Sequence, residues 1–101
     1  MSEYKIVAKV EDLKSGEGKS VEVNGENIAL FKIGEEFFAV GNTCPHRGGP
    51  LGEGYLNSDV VSCPWHGWQF NVKTGEAVSG PAKIKTYPVK VEGDEVKILI
   101  G

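Results

Sequence analysis

The sequence predicts an all-β domain of short antiparallel strands, and three observations lead to that prediction. Apolar residues recur at every second position, as in Val96, Ile98 and Ile100, which is the period of a half-buried strand. Turn signals such as Asn24-Gly25 separate these stretches. No stretch sustains the apolar period of about 3.6 residues that an amphipathic helix requires.

The first strands follow from the turns between them. Ser20–Val23 and Ile28–Ile33 are predicted to form a hairpin across Asn24-Gly25, because both turn residues tolerate positive φ. Gly34 then turns the chain into a further strand over Phe37–Val40. The two hairpins together predict a meander of three strands.

The C-terminal part shows the same alternation. Tyr87–Val91 reads as a half-buried strand, and Gly93-Asp94 turns it into a last strand over Glu95–Ile100. Pro88 has no backbone N–H, so we expect it at a sheet edge or a bulge. Near the N-terminus, Val7–Leu13 has room for at most one helical turn.

Length and composition limit the domain organisation and the partners. With 101 residues the chain has room for a single domain, taken as 1–101. Its 11 basic and 14 acidic residues form no basic stripe with interleaved aromatic residues, so nucleic acid is not an expected partner. No apolar run approaches the roughly 20 residues of a membrane span, and residues 1–5 show no leader pattern. A cytoplasmic protein with no membrane partner is therefore expected.

Residues 42–80 differ in composition from the rest of the chain. They hold five of its 25 charged residues but seven of its 14 glycines and all of its Cys, His and Trp. A segment poor in charge and rich in glycine is typical of a loop-built site whose backbone passes close to something else. Two short strands, Trp68–Asn71 and Glu76–Val78, are predicted inside it. We expect a small subdomain over about 42–80, attached to one end of the β domain.

The residues that carry chemistry lie in two short loops of this segment. The pattern is Cys44-x-His46, then sixteen residues, then Cys63-x-x-His66. Each loop supplies one thiolate and one imidazole, so the two loops could close on a common centre from two sides.

The residues alone leave three explanations of this pattern. The four side chains could be core residues, or a disulfide with two unrelated histidines, although a cytoplasmic context disfavours a disulfide. They could hold a structural zinc ion of the Cys2His2 type, although zinc sites usually pair Cys with Cys and His with His. They could instead hold a [2Fe–2S] cluster, with two Cys on one iron and two His on the other.

The third explanation agrees with a known family. The segments C-P-H-R-G-G-P-L-G-E-G and C-P-W-H-G-W-Q-F-N-V-K-T-G-E, which lie within residues 44–76, closely resemble the cluster-binding segments of Rieske proteins, and in particular of soluble bacterial Rieske-type ferredoxins. The Gly80-Pro81 turn is also similar to the proline loop that covers the cluster in this family. The resemblance implies a Rieske-like antiparallel β sandwich or barrel with a small, loop-rich cluster-binding subdomain.

The resemblance also implies the ligand set. Cys44 and Cys63 would hold the buried iron of one [2Fe–2S] cluster per chain, and His46 and His66 would hold the outer iron near the surface. All four candidate ligands are then used, so no position remains for a substrate. We therefore expect an electron-transfer protein with no catalytic residues of its own.

The ligand mixture affects the reduction potential. Two Fe(III), two sulfides, two thiolates and two neutral imidazoles sum to zero charge, which makes reduction easier than with four thiolates. High-potential relatives have a Ser and a Tyr at the positions of Trp68 and Phe70, and an extra Cys in each loop, whereas this chain has neither. Fewer hydrogen bonds to sulfur predict a potential toward the low end of the family range, at about −150 to −50 mV.

The partners that this resemblance implies are redox proteins. The expected donor is a flavin-containing reductase, and the expected acceptor is a terminal oxygenase or another oxidoreductase. One alternative is a small electron-transfer subunit of a larger oxidoreductase of the nitrite reductase type. The alternative from another class is a zinc-stabilised interaction module.

Overall fold

The structure is a computed structural model that describes residues 3–42, 51–63, 69–78 and 83–100. Within these ranges the chain forms short strands and two single turns of 3-10 helix, at Val10–Asp12 and Leu51–Glu53. The strands are β1 (Glu3–Lys9), β2 (Gly18–Val23), β3 (Glu26–Ile33), β4 (Glu36–Gly41), β5 (Tyr55–Asn57), β6 (Val60–Ser62), β7 (Gln69–Asn71), β8 (Thr86–Tyr87), β9 (Val89–Glu92) and β10 (Glu95–Ile100).

The strands form three sheets in which every pair is antiparallel. The main sheet has the order β2-β3-β4-β8, the terminal sheet β1-β10-β9, and the small sheet β5-β6-β7. The predicted all-β class is confirmed. The small sheet lies within the segment 42–80, in which the sequence predicts a separate subdomain.

Strand β3 is covered on both faces, which explains its uninterrupted apolar run. Ile28 and Leu30 pack on one side with the terminal sheet, whereas Ala29 and Phe31 pack on the other side with the small sheet. All four side chains are fully buried. Because successive side chains of a strand point to opposite faces, this one strand divides the apolar interior into two layers.

We call the layer between the main and small sheets the site core and the other the far core. The buried residues of the site core are Ala29, Phe31, Val40, Leu51, Val61, Cys63, Phe70, Val72 and Ile84. Those of the far core are Ala8, Leu13, Ile28, Leu30, Phe37, Ala39, Val96, Ile98 and Ile100. The alternation predicted for the last strand is confirmed, because Val96, Ile98 and Ile100 are all buried in the far core.

The predicted hairpins are also confirmed. Asn24 and Gly25 have φ of 51° and 82° between β2 and β3, and Gly34 has φ of 63° between β3 and β4. Positive φ at both central residues is the requirement of the type I′ hairpin turn, and Asn-Gly meets it at low cost.

The structure differs from the predicted strands in four places, the first of which is the β5–β6 hairpin, which the sequence did not predict. Strand β1 was not predicted, because its register shifts between Ile6 and Ala8 and this shift interrupts the two-residue alternation of apolar side chains. Pro88 divides the predicted Tyr87–Val91 strand between two sheets, with β8 on one side and β9 on the other. In Glu76–Val78 only isolated bridges form, at Glu76 and Ala77, rather than a strand.

No helix in the described ranges is long and apolar enough to cross a membrane.

Candidate metal centre

Cys63 is the candidate ligand that lies within the described residues. It directly follows β6, its side chain belongs to the site core, and only 2% of its surface is exposed. Its buried neighbours there are apolar and come from both sheets. A thiolate in such dry, apolar surroundings suits a soft metal centre such as iron–sulfur.

The other candidate ligands, Cys44, His46 and His66, lie outside the described residues, as does Trp68. For these ligands, the structure describes the residues that directly precede and follow the segments 43–50 and 64–68. Among the described residues, no group of three or more Cys, His, Asp or Glu side chains gathers around one point.

The two residues that flank the first candidate segment, 43–50, are hydrogen-bonded to each other. The backbone N–H of Leu51 donates to the carbonyl oxygen of Asn42 at 2.7 Å. Leu51 is fully buried in the site core. The segment that carries Cys44 and His46 is thus closed at its base, above the same apolar layer that contains Cys63.

The second segment, 64–68, connects neighbouring strands of the small sheet. Ser62 of β6 faces Gln69 of β7 in register, and the Gln69 side-chain amide donates to the Ser62 hydroxyl at 3.3 Å. Cys63 follows Ser62 directly, so its thiol lies at the end of β6, the central strand of the small sheet.

The third segment, 79–82, contains Gly80 and Pro81, whose predicted turn lies outside the described residues, and it starts beside the second segment. The N–H of Val78 donates to the carbonyl oxygen of Gln69 at 2.9 Å. The chain returns at Lys83, which forms an isolated antiparallel bridge with Glu76. Segments 64–68 and 79–82 therefore leave the fold from adjacent positions.

These ends lie along one row of residues, which we call the exit row. Tyr55, Ser62, Gln69 and Val78 occupy successive positions across the small sheet. At about 4.8 Å per strand the row spans roughly 14 Å. The row one residue inward, with Val61 and Phe70, faces the site core, so the exit row faces outward.

The exit row is uncharged and has an apolar side chain at each end. Tyr55 is 75% exposed and Val78 is 55% exposed. Because an uncharged row next to the candidate ligand segments needs no counter-charge, it can pack against another protein with a small desolvation penalty.

Glycines at the base of the site allow close backbone packing. A Cβ on Gly54 would overlap the carbonyl oxygen of Ser62, and one on Gly52 would lie 2.6 Å from the Ser20 hydroxyl. The sequence predicts that this glycine-rich backbone passes close to something. In the structure, the backbone of Gly54 approaches β6 and that of Gly52 approaches β2.

The resolved pKa shifts belong to residues outside the site core. Burial, and then the negative charge of Glu26, raise the pKa of Tyr87. A hydrogen bond from Lys97 and the charge of Lys90 lower the pKa of the Glu92 carboxyl, and the same bond raises the pKa of Lys97. All three lie on β8–β10 and not on the small sheet that carries Cys63.

A groove of about 520 Å³ lies between β4 and the strands β8 and β9. It is lined by Glu36, Phe37, Phe38, Ala39, Val72, Lys73, Thr86, Tyr87, Pro88 and Val89. Its described lining contains one carboxylate and one ammonium group, and these do not form a nucleophile paired with a base.

The fold and the site define a class: a small all-β domain in which a buried thiol lies at one end of a three-stranded sheet. The chain belongs to the Rieske [2Fe–2S] domain family, whose model matches residues 3–90. The [2Fe–2S] cluster is accordingly its cofactor.

Similar proteins include electron-transfer components of oxygenase systems. The ferredoxin component of biphenyl 2,3-dioxygenase from Rhodococcus jostii is 44% identical over 89 residues, which cover 86% of this chain and 83% of that protein. The ferredoxin in a complex of reduced oxygenase and oxidized ferredoxin in carbazole 1,9a-dioxygenase superposes with a TM-score of 0.87 at 34% identity, covering 94% and 91% of the two chains.

Two further similarities concern proteins of other descriptions. Apoptosis-inducing factor 3 of Mus musculus is 39% identical over 94 residues, but this chain, of which 91% is covered, spans only 16% of that protein. The small subunit of a putative nitrite reductase superposes with a TM-score of 0.85 at 26% identity, covering 97% and 99% of the two chains.

The sequence patterns identified the ligand candidates but missed the residues that support them. Asn42 forms the base of the first segment, and its signal was an Asn between a strand and a Cys-containing loop, a position where side-chain amides often bond to backbone. Tyr55 gave no signal, because its exposure depends on the β5–β6 hairpin, which the sequence did not predict.

Proposed function

We propose that Cys44 and Cys63 hold one iron of the cluster through thiolates and that His46 and His66 hold the other through ring nitrogens. The observation that carries this proposal is the buried thiol of Cys63, at the sheet end from which segments 64–68 and 79–82 leave and at which segment 43–50 is anchored through Leu51 and Gly54. Two thiolates and two imidazoles match the donor set of Rieske centres.

The proposal treats residues 1–101 as one domain with a cluster-binding subdomain over about 42–80. The family match across residues 3–90 supports a single domain. The small sheet supports the subdomain, because among the described strands β5, β6 and β7 pair only with one another, and the isolated bridge from Phe70 of β7 to Ala77 stays within the same segment.

The protein acts as a one-electron carrier between a flavin-containing reductase and a terminal oxygenase. When bound, the cluster supplies a single reversible one-electron step. The apolar site core keeps water from the Cys63 side, and the exit row, at the ends of the segment that carries His66, is the side at which we expect partners to bind. Relatives that are ferredoxin components of dioxygenase systems support this assignment.

A subunit role in a larger oxidoreductase is the second candidate. It is favoured by the similarity to a putative nitrite reductase small subunit over nearly the full length of both chains. A permanent partner would co-purify with the protein, whereas an oxygenase partner would bind transiently. Either role fits a cytoplasmic location, where thiolate ligands stay reduced.

An EPR-monitored redox titration tests the proposed function. We expect two irons and two sulfides per chain, a reduced-state spectrum with the low average g of mixed His and Cys ligation, and a midpoint of about −150 to −50 mV. A colourless protein with one bound zinc would contradict the electron-transfer function, and a midpoint above about +100 mV would contradict the assigned range.

Docking at the exit row gives a separate prediction. Replacing Tyr55 with serine is expected to raise the KM for this protein about tenfold when it reduces the oxygenase of the biphenyl 2,3-dioxygenase system, because aromatic side chains dominate interface energies. The reduction potential should not change, since Tyr55 is an exposed residue of the outward-facing row and not a candidate ligand.

The matched control is Ile6→Ser on the terminal sheet. Ile6 is 57% exposed, and its strand belongs to the terminal sheet, on the far-core side of the main sheet. Equal KM values for the two variants would show that the exit row does not bind the oxygenase.

A further inference from the structure

Asn42 is a buried polar residue whose backbone N–H, backbone carbonyl and side-chain oxygen all form hydrogen bonds. Its N–H donates to Asn27 at 3.1 Å, and its carbonyl oxygen accepts from Leu51 at 2.7 Å. Its side-chain oxygen Oδ1 accepts from the N–H of Gly52 at 2.7 Å and from the hydroxyl of Ser20 at 3.2 Å. Only 8% of the residue is exposed.

These bonds close the segment 43–50 at its base. Asn42 precedes the segment, and Leu51 and Gly52 follow it, so its backbone and side chain together bind both residues on the other side. Without the side chain, the backbone bond between Leu51 and Asn42 would still join the two ends, but the bond to Gly52 would be lost. Because joining loop ends removes conformational freedom from the residues between them, the bond from Gly52 to the Asn42 side chain adds a second constraint at the ends of the segment.

The closed base is also fixed to the main sheet. Ser20 belongs to β2, and Gly52 packs so tightly on it that a Cβ would lie 2.6 Å from the Ser20 hydroxyl oxygen and 2.7 Å from its backbone nitrogen. We call Ser20, Asn42 and Gly52 the clasp. Leu51, next to Gly52, is buried in the same site core as Cys63, so the clasp relates the first segment to the second.

We propose that the clasp is a positioning element for the cluster: the Asn42 side chain fixes the segment carrying Cys44 and His46 relative to Cys63, and so controls how firmly iron is retained. This inference rests on the proposed ligand set. Asn42 acts through the ligand segment and is not itself a ligand. Supporting residues of this kind typically change metal affinity 10- to 100-fold when removed.

Asn71 offers a matched control within the same subdomain. Its Oδ1 also accepts two hydrogen bonds, from the backbone N–H groups of Lys73 at 2.8 Å and Thr74 at 3.3 Å. These bonds shape the turn after β7, at the end of that strand opposite the exit row. Asn71→Ala therefore removes two bonds to Oδ1, as Asn42→Ala does, and also the bond that Asn71 Nδ2 donates to Asp59 at 3.4 Å, without touching the base of segment 43–50.

The experiment uses the full chain loaded with iron and sulfide. Cluster loss to an excess of iron chelator is followed by visible absorbance well below the unfolding temperature, and the reduced-state EPR spectrum and thermal unfolding are recorded in parallel. Asn42→Ala is expected to lose its cluster roughly tenfold faster than wild type, with broadened EPR features. Asn71→Ala should lose its cluster at the wild-type rate, even where its unfolding temperature falls.

Two variants at Ser20 keep the test decisive if Asn42→Ala does not fold. Ser20→Ala removes one of the two bonds to Oδ1 and should give an intermediate rate, whereas Ser20→Thr keeps the hydroxyl and should match wild type. Unchanged rates and EPR spectra in Asn42→Ala and Ser20→Ala would overturn the clasp alone. A wild-type protein without a Rieske spectrum would overturn the proposed ligand set and the clasp together.

Discussion

Replacing Cys63 with alanine is expected to give a colourless protein with almost no bound iron. The proposed centre has two thiolate ligands, and an alanine leaves one iron without one of them in surroundings where water cannot easily replace it, because the position is 2% exposed. The readouts are visible absorbance and iron and sulfide content of the purified full chain after reconstitution.

Val61→Ala separates ligation from packing. Val61 is fully buried in the same site core, two residues before Cys63 on β6. Its truncation removes two methyl groups and should cost about 2 kcal/mol of folding free energy. Two methyl groups make more apolar contact than the single sulfur atom that is lost in Cys63→Ala. If Cys63 only packed, Val61→Ala would be the more damaged variant and Cys63→Ala would remain coloured. A coloured, iron-loaded Cys63→Ala protein would therefore refute its role as a ligand.

The parts of the fold that were predictable are those in which local chemistry and tertiary packing agree. Asn24-Gly25 specifies its hairpin because the turn demands positive φ at both residues, and those residue types supply it. The last strand, Glu95–Ile100, alternates because one face is buried and the other is not. Neither feature needs information from a distant part of the chain.

The parts that were not predictable depend on distant contacts. Strands β5 and β6 have three residues each, which is too few to establish a period. They exist because β5 pairs with β6 and β6 pairs with β7. Pro88 was expected at an edge or a bulge, but the sequence does not say that the chain changes sheets there. Propensity describes a residue and its neighbours, whereas sheet membership is decided by which surface is available to bury.

The site divides in the same way. The ligand candidates are recognisable by type and spacing, since Cys and His are rare in this chain and all four fall in the pattern. Supporting residues such as Asn42 are chemically ordinary, and their role follows from hydrogen bonds to residues ten and twenty-two positions away. Of the four candidate ligands, Cys63 is the one whose surroundings the described structure gives.

Gly54→Ala is the second substitution from which we expect a large effect. Gly54 connects the clasp to the small sheet: its N–H donates to the carbonyl oxygen of Leu51 at 2.9 Å, and its Cα faces the backbone of Ser62. A Cβ there would overlap the Ser62 carbonyl oxygen and lie 3.1 Å from that of Leu51. Because the obstacle is backbone, no rotamer change can relieve it, and β5 and β6 must move apart.

That movement should affect both stability and the metal centre. Overpacking of this kind costs about 3 kcal/mol, which for a domain of this size lowers the unfolding temperature by roughly 12 to 24 °C. Ser62 directly precedes Cys63, so the displaced strand also carries the thiol away from its position in the site core. We expect thermal unfolding followed by circular dichroism to show the lower temperature and iron analysis to show reduced cluster content.

Gly41→Ala isolates the steric cause from the general effect of replacing glycine. Gly41 ends β4 without a positive φ, and the atoms nearest to an added methyl group, the Lys85 backbone nitrogen and oxygen, would be 3.9 Å away, an ordinary contact distance. Alanine there should leave stability within about 0.5 kcal/mol of wild type, or raise it slightly by reducing the freedom of the unfolded chain. If Gly54→Ala behaved like Gly41→Ala, the close approach of β5 to β6 would not be a constraint on this fold. A large loss of stability confined to Gly54→Ala would show that a glycine there is required by the backbone packing beneath the metal centre.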